Sequence, residues 1–306
     1  MGKIAFVFSG QGAQYSGMGR ELYENSQAAS QWFHMVENIR PGTMKQCFEG
    51  SKEELSETKN TQPCVYSVDM AAALALEEGG ISPDFVAGFS LGELAALTFS
   101  GAVDGNQGFE LVCKRGLLMQ DASEKSGSAM AAILKMEDEA VEKLAGKYKQ
   151  VYPVNYNSPG QLVVAGVKEE LDLFKEDVRE AGGRFMPLAV SGGFHSPFME
   201  IAAQGLSESM KHIEFREPGI PLYSNLDGKP YGAEIEEKLL RQMTNPVRWK
   251  QSILNMIDDG ADIFIEVGPG KTLVGLISKI SSKVKVFNVE DKESLDKTLQ
   301  EVKEYA

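Results

Sequence analysis

The decapeptide Asp84-Phe85-Val86-Ala87-Gly88-Phe89-Ser90-Leu91-Gly92-Glu93 joins an apolar run to a G-x-S-x-G turn, and Leu94-Ala95-Ala96-Leu97 follows as helix-forming sequence. A strand that turns sharply into a helix about a serine is the pattern of a nucleophile elbow. Gly88 and Gly92 leave room for such a corner because neither carries a Cβ. The reading predicts that Ser90 projects its hydroxyl from a strained position and that the N–H of Leu91, at the helix start, is free to hold an oxyanion.

Elements on either side of the elbow have the rhythm of an α/β protein. Lys3 to Phe8 reads as a buried strand ending in the glycine-rich turn Ser9-Gly10-Gln11-Gly12-Ala13-Gln14. Ligands of open α/β sheets collect at such carboxyl ends. Thr61 to Glu78 reads as a helix with Pro63 in its first turn and Gly79-Gly80 at its close. Ser123 to Ser128 is a small polar stretch and reads as a linker.

Beyond it come strand (Ala129 to Leu134), helix (Asp138 to Leu144), strands (Val151 to Asn155 and Gln161 to Ala165), helix (Lys168 to Glu180) and strand (Arg184 to Val190). That order is the βαββαβ of a ferredoxin-like unit. Alternation then resumes with a helix at Ser196-Pro197, a strand Ile220 to Tyr223, a helix opened by Asn245-Pro246, a strand Asp262 to Val267, a helix Lys271 to Ile280 and a strand Val284 to Asn288. We expect an α/β-hydrolase-like, mostly parallel sheet domain built from residues 1–125 and 196–306, interrupted by a ferredoxin-like small subdomain at 126–195.

Composition narrows the function classes. The chain has 306 residues and a net charge of −13, which disfavours nucleic acid and anionic membranes as partners. No apolar run is long enough to span a bilayer, and the N-terminal strand is too short for a signal peptide, so we expect a cytoplasmic protein acting as a monomer. Cys47, Cys64 and Cys113 are widely separated, without the spacing of a disulfide framework or a zinc site.

A serine hydroxyl needs a base, and the chain offers three histidines. His34 and His212 lie inside helical patterns that require no functional explanation. His195, in Gly192-Gly193-Phe194-His195-Ser196-Pro197, falls between a strand end and a helix start, where loops present working side chains. No acid stands out as a third member, and a backbone carbonyl could orient the imidazole instead. Arg115 by itself reads as a solvated helix arginine, and Asn155 and Asn157 read as turn residues between two strands.

Gly10-Gln11-Gly12-Ala13-Gln14, the elbow, Lys114-Arg115-Gly116-Leu117-Leu118-Met119-Gln120, Asn155-Tyr156-Asn157-Ser158-Pro159-Gly160-Gln161, Phe194-His195-Ser196-Pro197, Asn245-Pro246-Val247-Arg248-Trp249 and Glu266-Val267-Gly268-Pro269-Gly270 occur in one order. Together they resemble the malonyl-CoA:acyl carrier protein transacylase family from Phe8 to Leu276. The resemblance implies that Ser90 attacks the malonyl thioester and that His195 serves as base and then acid. It implies that the N–H groups of Gln11 and Leu91 hold the oxyanion, that Arg115 binds the malonyl carboxylate and that the backbone carbonyl of Gln242 orients the histidine. Malonyl-CoA and acyl carrier protein would be the partners in a ping-pong transfer feeding fatty acid synthesis, with no metal or bound cofactor.

The family pattern has His where this chain has Phe89, which bears on pocket shape and polarity beside the acyl group. Phe194 resembles the bulky residue of malonyl-selecting members. A stand-alone acyltransferase of a polyketide synthase, a serine esterase and a silent carrier-binding scaffold are the competing readings.

Overall fold

The computed structural model describes residues 2–190 and 192–305, so Ser191, at the start of the His195 loop, lies outside it. Among the described residues, nine strands form two sheets. β1 (Lys3–Phe8), β2 (Phe85–Gly88), β7 (Leu222–Tyr223), β8 (Ala261–Val267) and β9 (Lys285–Val289) make a parallel sheet in the order β7-β2-β1-β8-β9. The last five residues of β1 are all buried, because a central parallel strand has both faces covered. Phe8 pairs with Gly88 on one side and Val267 on the other. The loops after β1, β2 and β8 therefore leave from one edge of the sheet.

β3 (Ser128–Leu134), β4 (Val151–Ser158), β5 (Gln161–Val167) and β6 (Arg184–Pro187) form an antiparallel sheet in the order β4-β5-β3-β6. With the helices Asp138–Ala145 and Lys168–Glu180 it has the expected βαββαβ connectivity. One face packs Ala131, Ile133 and Val164 against Val141, Phe174 and Val178 of those helices. Burying Phe174 and Val178 contributes about 1.5–3 kcal/mol each. The opposite face, with Met130, Ala132 and Val163, joins the core of the larger unit. Backbone bonds between Tyr156 and Val247 (2.9 Å) and between Val247 and Val154 (2.8 Å) tie the edge strand β4 to the larger unit.

Several elements differ from expectation. The helix before the elbow begins at Thr58, so Pro63 lies in its second turn. Donors of the first turn find partners: Thr58 N–H donates to Gln120 Oε1 at 2.8 Å, and the Asn60 and Thr61 N–H groups both donate to the Glu57 carbonyl at 2.8 Å. Ser123–Ser126 is not a linker but the end of the helix Gly105–Ser126, closed by Gly127 at φ 58°. Its serines bond back to helix carbonyls, Ser123 to Met119 at 2.7 Å, which lets small polar residues stay helical.

β4 runs on to Ser158, so Asn155 and Asn157 are strand residues rather than turn residues. Register shifts beside both let two asparagines sit in an extended edge. The helix expected at Asn245-Pro246 starts at Trp249, and Ser196-Pro197 opens a 3-10 turn before the helix Glu200–Met210. Among the described residues, no helix is long and apolar enough to cross a membrane.

Candidate active site

Close approach of backbones forms the corner at Ser90. A Cβ on Gly88 would lie 1.9 Å from the Gly92 carbonyl carbon, and one on Gly92 would lie 2.2 Å from the Phe8 carbonyl oxygen. Glycine is therefore required at both positions by space, since neither adopts positive φ. Ser90 itself has φ 55° and ψ −99°, a strained conformation that costs on the order of 1–3 kcal/mol and must be held by its surroundings. Asn225 provides part of that support: its Oδ1 accepts the Ser90 N–H at 2.7 Å while its Nδ2 donates to the Gly88 carbonyl at 2.6 Å.

His195, also at positive φ (58°), brings Nε2 to 2.6 Å from Ser90 Oγ. Its Nδ1 lies 2.7 Å from the Gln242 carbonyl oxygen. That oxygen can only accept, so Nδ1 carries the hydrogen and Nε2 is left as a proton acceptor. Burial, with the Arg115 charge as a secondary cause, pulls the His195 pKa down to about 4. The imidazole is neutral at neutral pH, the state a base requires. The other two histidines stand apart: His34 packs edge-on against Tyr23, and the His212 carbonyl accepts from Gln107.

Arg115 is 1% exposed, not solvated. Its Nη2 lies 3.4 Å from Ser90 Oγ and donates to Gln242 Oε1 at 3.0 Å, while Nη1 donates to Gln62 Oε1 at 3.0 Å. Its Nε–H is buried and has no partner among the described residues. Burial lowers its pKa to about 10, which leaves it protonated at neutral pH.

Gln11 sits on the loop after β1, its side chain donating to Thr58 Oγ1 at 3.1 Å, and that loop packs against the elbow where Gly10 meets Phe89. Leu91 is the first residue of the helix Leu91–Phe99, where a backbone N–H has no partner within the helix.

A cleft of about 610 Å³ opens between the sheets, lined by Gln11, Phe89, Asn155, Asn157, Val163 and Leu273 among others. Both asparagines are buried with Oδ1 unpaired among the described residues, a sign of acceptors awaiting a ligand's donors. Phe89 packs edge-on against Trp249 at 5.5 Å, so an apolar ring occupies the wall beside Ser90. Phe194 is buried next to His195.

Residue-by-residue reading of the sequence did not find Gln62, Asn225 or the role of Glu93. An acid at the third helical position after Ser90 was visible, but nothing in the spacing indicated that it would be fully buried.

Residues 5–304 match the family described as acyl transferase domain. The malonyl CoA-acyl carrier protein transacylase of Bacillus subtilis (strain 168) is 40% identical over 312 residues, covering 99% of this chain and 98% of that protein. The chain belongs to the malonyl-CoA:acyl carrier protein transacylase family. A crystal structure of the transacylase from Clostridium perfringens superposes with a TM-score of 0.96 at 38% identity, covering 99% of this chain and 98% of the other. A malonyl-transacylase solved in complex with a type II polyketide synthase acyl carrier protein superposes at 0.94 with 34% identity, covering 98% and 99% of the two chains. The transacylase fold, with its parallel five-stranded and antiparallel four-stranded sheets, is thus shared across nearly the whole chain.

Proposed function

We infer that the chain transfers a malonyl group from malonyl-CoA to the phosphopantetheine thiol of an acyl carrier protein through a malonyl-Ser90 ester. One observation carries the chemistry: the Ser90 hydroxyl lies between an imidazole nitrogen at 2.6 Å and a buried guanidinium at 3.4 Å. The first activates the oxygen, and the second selects an acyl group that ends in a carboxylate.

In the first half-reaction Ser90 Oγ attacks the thioester carbonyl as His195 Nε2 takes its proton. The carbonyl oxygen gains the negative charge, and the Gln11 and Leu91 N–H groups are the donors we assign to it. Collapse breaks the C–S bond, and the imidazolium returns the proton to the departing CoA sulfur. The carrier thiol then repeats the sequence in reverse, giving its proton to His195 and taking the malonyl group from Ser90. The Gln242 carbonyl fills the orienting place that an acid fills in a Ser-His-Asp triad.

Arg115 reaches the malonate with the unpaired Nε–H and the Nη1 hydrogen that Gln62 leaves free, while Nη2 spans Gln242 and Ser90. The carboxylate so held would also keep the thioester near Ser90 and raise its effective concentration. The domain division proposed for this fold, 1–125 with 196–306 against 126–195, leaves the cleft between the two units for the pantetheine arm. We place the enzyme in the cytoplasm as a monomer, with neither nucleic acid nor membrane as a partner.

Ser90→Ala should abolish covalent labelling by radiolabelled malonyl-CoA, and persistent labelling of that variant would overturn the assignment. A second reading, in which the carrier belongs to a polyketide synthase, is favoured by the likeness to the carrier-bound transacylase. Comparing rates with fatty acid and polyketide carriers separates the two. An esterase is disfavoured by Arg115, and water outcompeting thiol acceptors would restore that reading.

A further inference from the structure

Behind the reacting groups lies a carboxylate that the mechanism does not use. Glu93 is fully buried. Its Oε1 accepts the Asn225 backbone N–H at 2.9 Å and the Tyr231 hydroxyl at 2.7 Å, and its Oε2 accepts Gln242 Nε2 at 2.5 Å. Each bond leads onward. Asn225 holds Ser90 N–H and Gly88 O, the two sides of the strained corner. The Gln242 side chain donates to the Ser90 carbonyl at 2.9 Å and accepts from Arg115, while its backbone oxygen holds His195.

The orientation of the Gln242 amide follows from its neighbours. Arg115 can only donate and the Ser90 carbonyl can only accept, so the amide oxygen faces the guanidinium and the amide NH2 faces the Ser90 carbonyl and the acid. Reversing it would set donor against donor at Arg115. We propose that Glu93 is a positioning residue that locks Asn225 and the Gln242 amide in one orientation, so that the nucleophile corner and the Arg115 carboxylate clamp are set together. The acid missing from contact with the histidine is thus one residue farther out, acting through Gln242. This inference rests on the malonyl-transfer reading for its substrate arm and on geometry alone for its nucleophile arm.

The test is Glu93→Gln, which retains the shape but presents an NH2 group to one of the donors now facing the carboxylate. Gln242 then turns its amide, and the oxygen that braced Arg115 is lost. We expect the ratio of malonyl to acetyl transfer to fall at least tenfold and the rate of Ser90 labelling by a fluorophosphonate to fall severalfold, with an unchanged circular dichroism spectrum. Glu93→Asp keeps a carboxyl acceptor on a shorter arm. It should retain more of the malonyl preference and of the labelling rate than Glu93→Gln.

An unchanged ratio and labelling rate in Glu93→Gln overturns the proposal. So does a loss that tracks unfolding and that Glu93→Asp suffers equally. If the wild type transfers no malonyl at all, the functional reading fails, and the fluorophosphonate rate alone decides the role of Glu93.

Discussion

At the scale of the residue, the buried cation does the most to separate this site from that of a general serine hydrolase. A guanidinium 1% exposed, braced by Gln62 and Gln242, has lost most of its water and keeps a free Nε–H. A carboxylate arriving there forms charge-assisted bonds in a low-dielectric setting, where removing one partner of a buried pair costs about 3–5 kcal/mol. Arg115→Ala should therefore lower kcat/KM for malonyl-CoA on the order of 10²- to 10³-fold while sparing acetyl transfer, measured by steady-state kinetics with both donors. Equal losses with both would show that the arginine only supports the fold. Lysine should not replace it, since a single ammonium cannot be braced by two glutamines and still present a fork. Ser90 and His195 were legible in the sequence because each announces itself locally, one by its glycines and one by its place between strand and helix. Gln62 and Asn225 were not, because their importance lies in what they touch across 53 and 135 residues of chain.

At the scale of the element, two glycines show different uses of the missing Cβ. Gly92→Ala puts a Cβ 2.2 Å from the Phe8 carbonyl, and backbone cannot retreat as a flexible side chain can. Gly127, which ends the helix Gly105–Ser126 at φ 58°, has open space around it. Gly127→Ala should cost only the left-handed backbone penalty, about 1–2 kcal/mol. Gly92→Ala should cost clearly more, because it forces the start of the helix Leu91–Phe99 away from the end of β1, and should also slow Ser90 labelling. Chemical denaturation of both variants checks the order, and equal destabilisation would mean that the corner relaxes more easily than its contacts indicate. The strand-turn-helix was readable because the strand and the helix carry different periods on either side of the glycines. The asparagines of β4 were misplaced because Asn favours turns locally, whereas pairing with β5 and the bridge to Val247 held them extended.

At the scale of the whole molecule, the carboxyl edge of the parallel sheet gathers buried acids as well as the reacting groups. Asp69 is fully buried, and both its carboxyl oxygens lack a hydrogen-bond partner among the described residues. Burial, then the nearby Glu266, pushes its pKa well above the usual carboxylate range. Burial likewise raises Glu93 and Glu266 to about 7 each. A raised carboxyl keeps its proton in the fold after the unfolded chain has lost it, so its stabilising effect is complete below the unfolded value and is lost as pH rises through the folded one. His195, lowered to about 4, acts in the opposite sense between its unfolded value and 4. Three carboxyls outweigh one imidazole, so the melting temperature should fall between pH 6 and pH 8. Asp69→Asn, which removes an ionisation the interior opposes, should raise the melting temperature by a few degrees at pH 8 and flatten that slope. A scanning calorimetry series across pH gives the answer, and an Asp69→Asn variant less stable at pH 8 would show that the carboxylate is held by something other than its proton.

The sequence alone determined the alternation of strands and helices, the βαββαβ insertion, the elbow and the serine at its corner, because these depend on periodicity and on glycine over a few neighbouring positions. Through its ordered motifs it also pointed to the family. Tertiary structure alone decided that Arg115 is buried rather than solvated, that Glu93 faces inward and that Asn225 and Gln242 brace the same serine. Those outcomes depend on which distant segments exclude water from each side chain, and a polar residue's local sequence is the same whether its partner is solvent or another part of the chain.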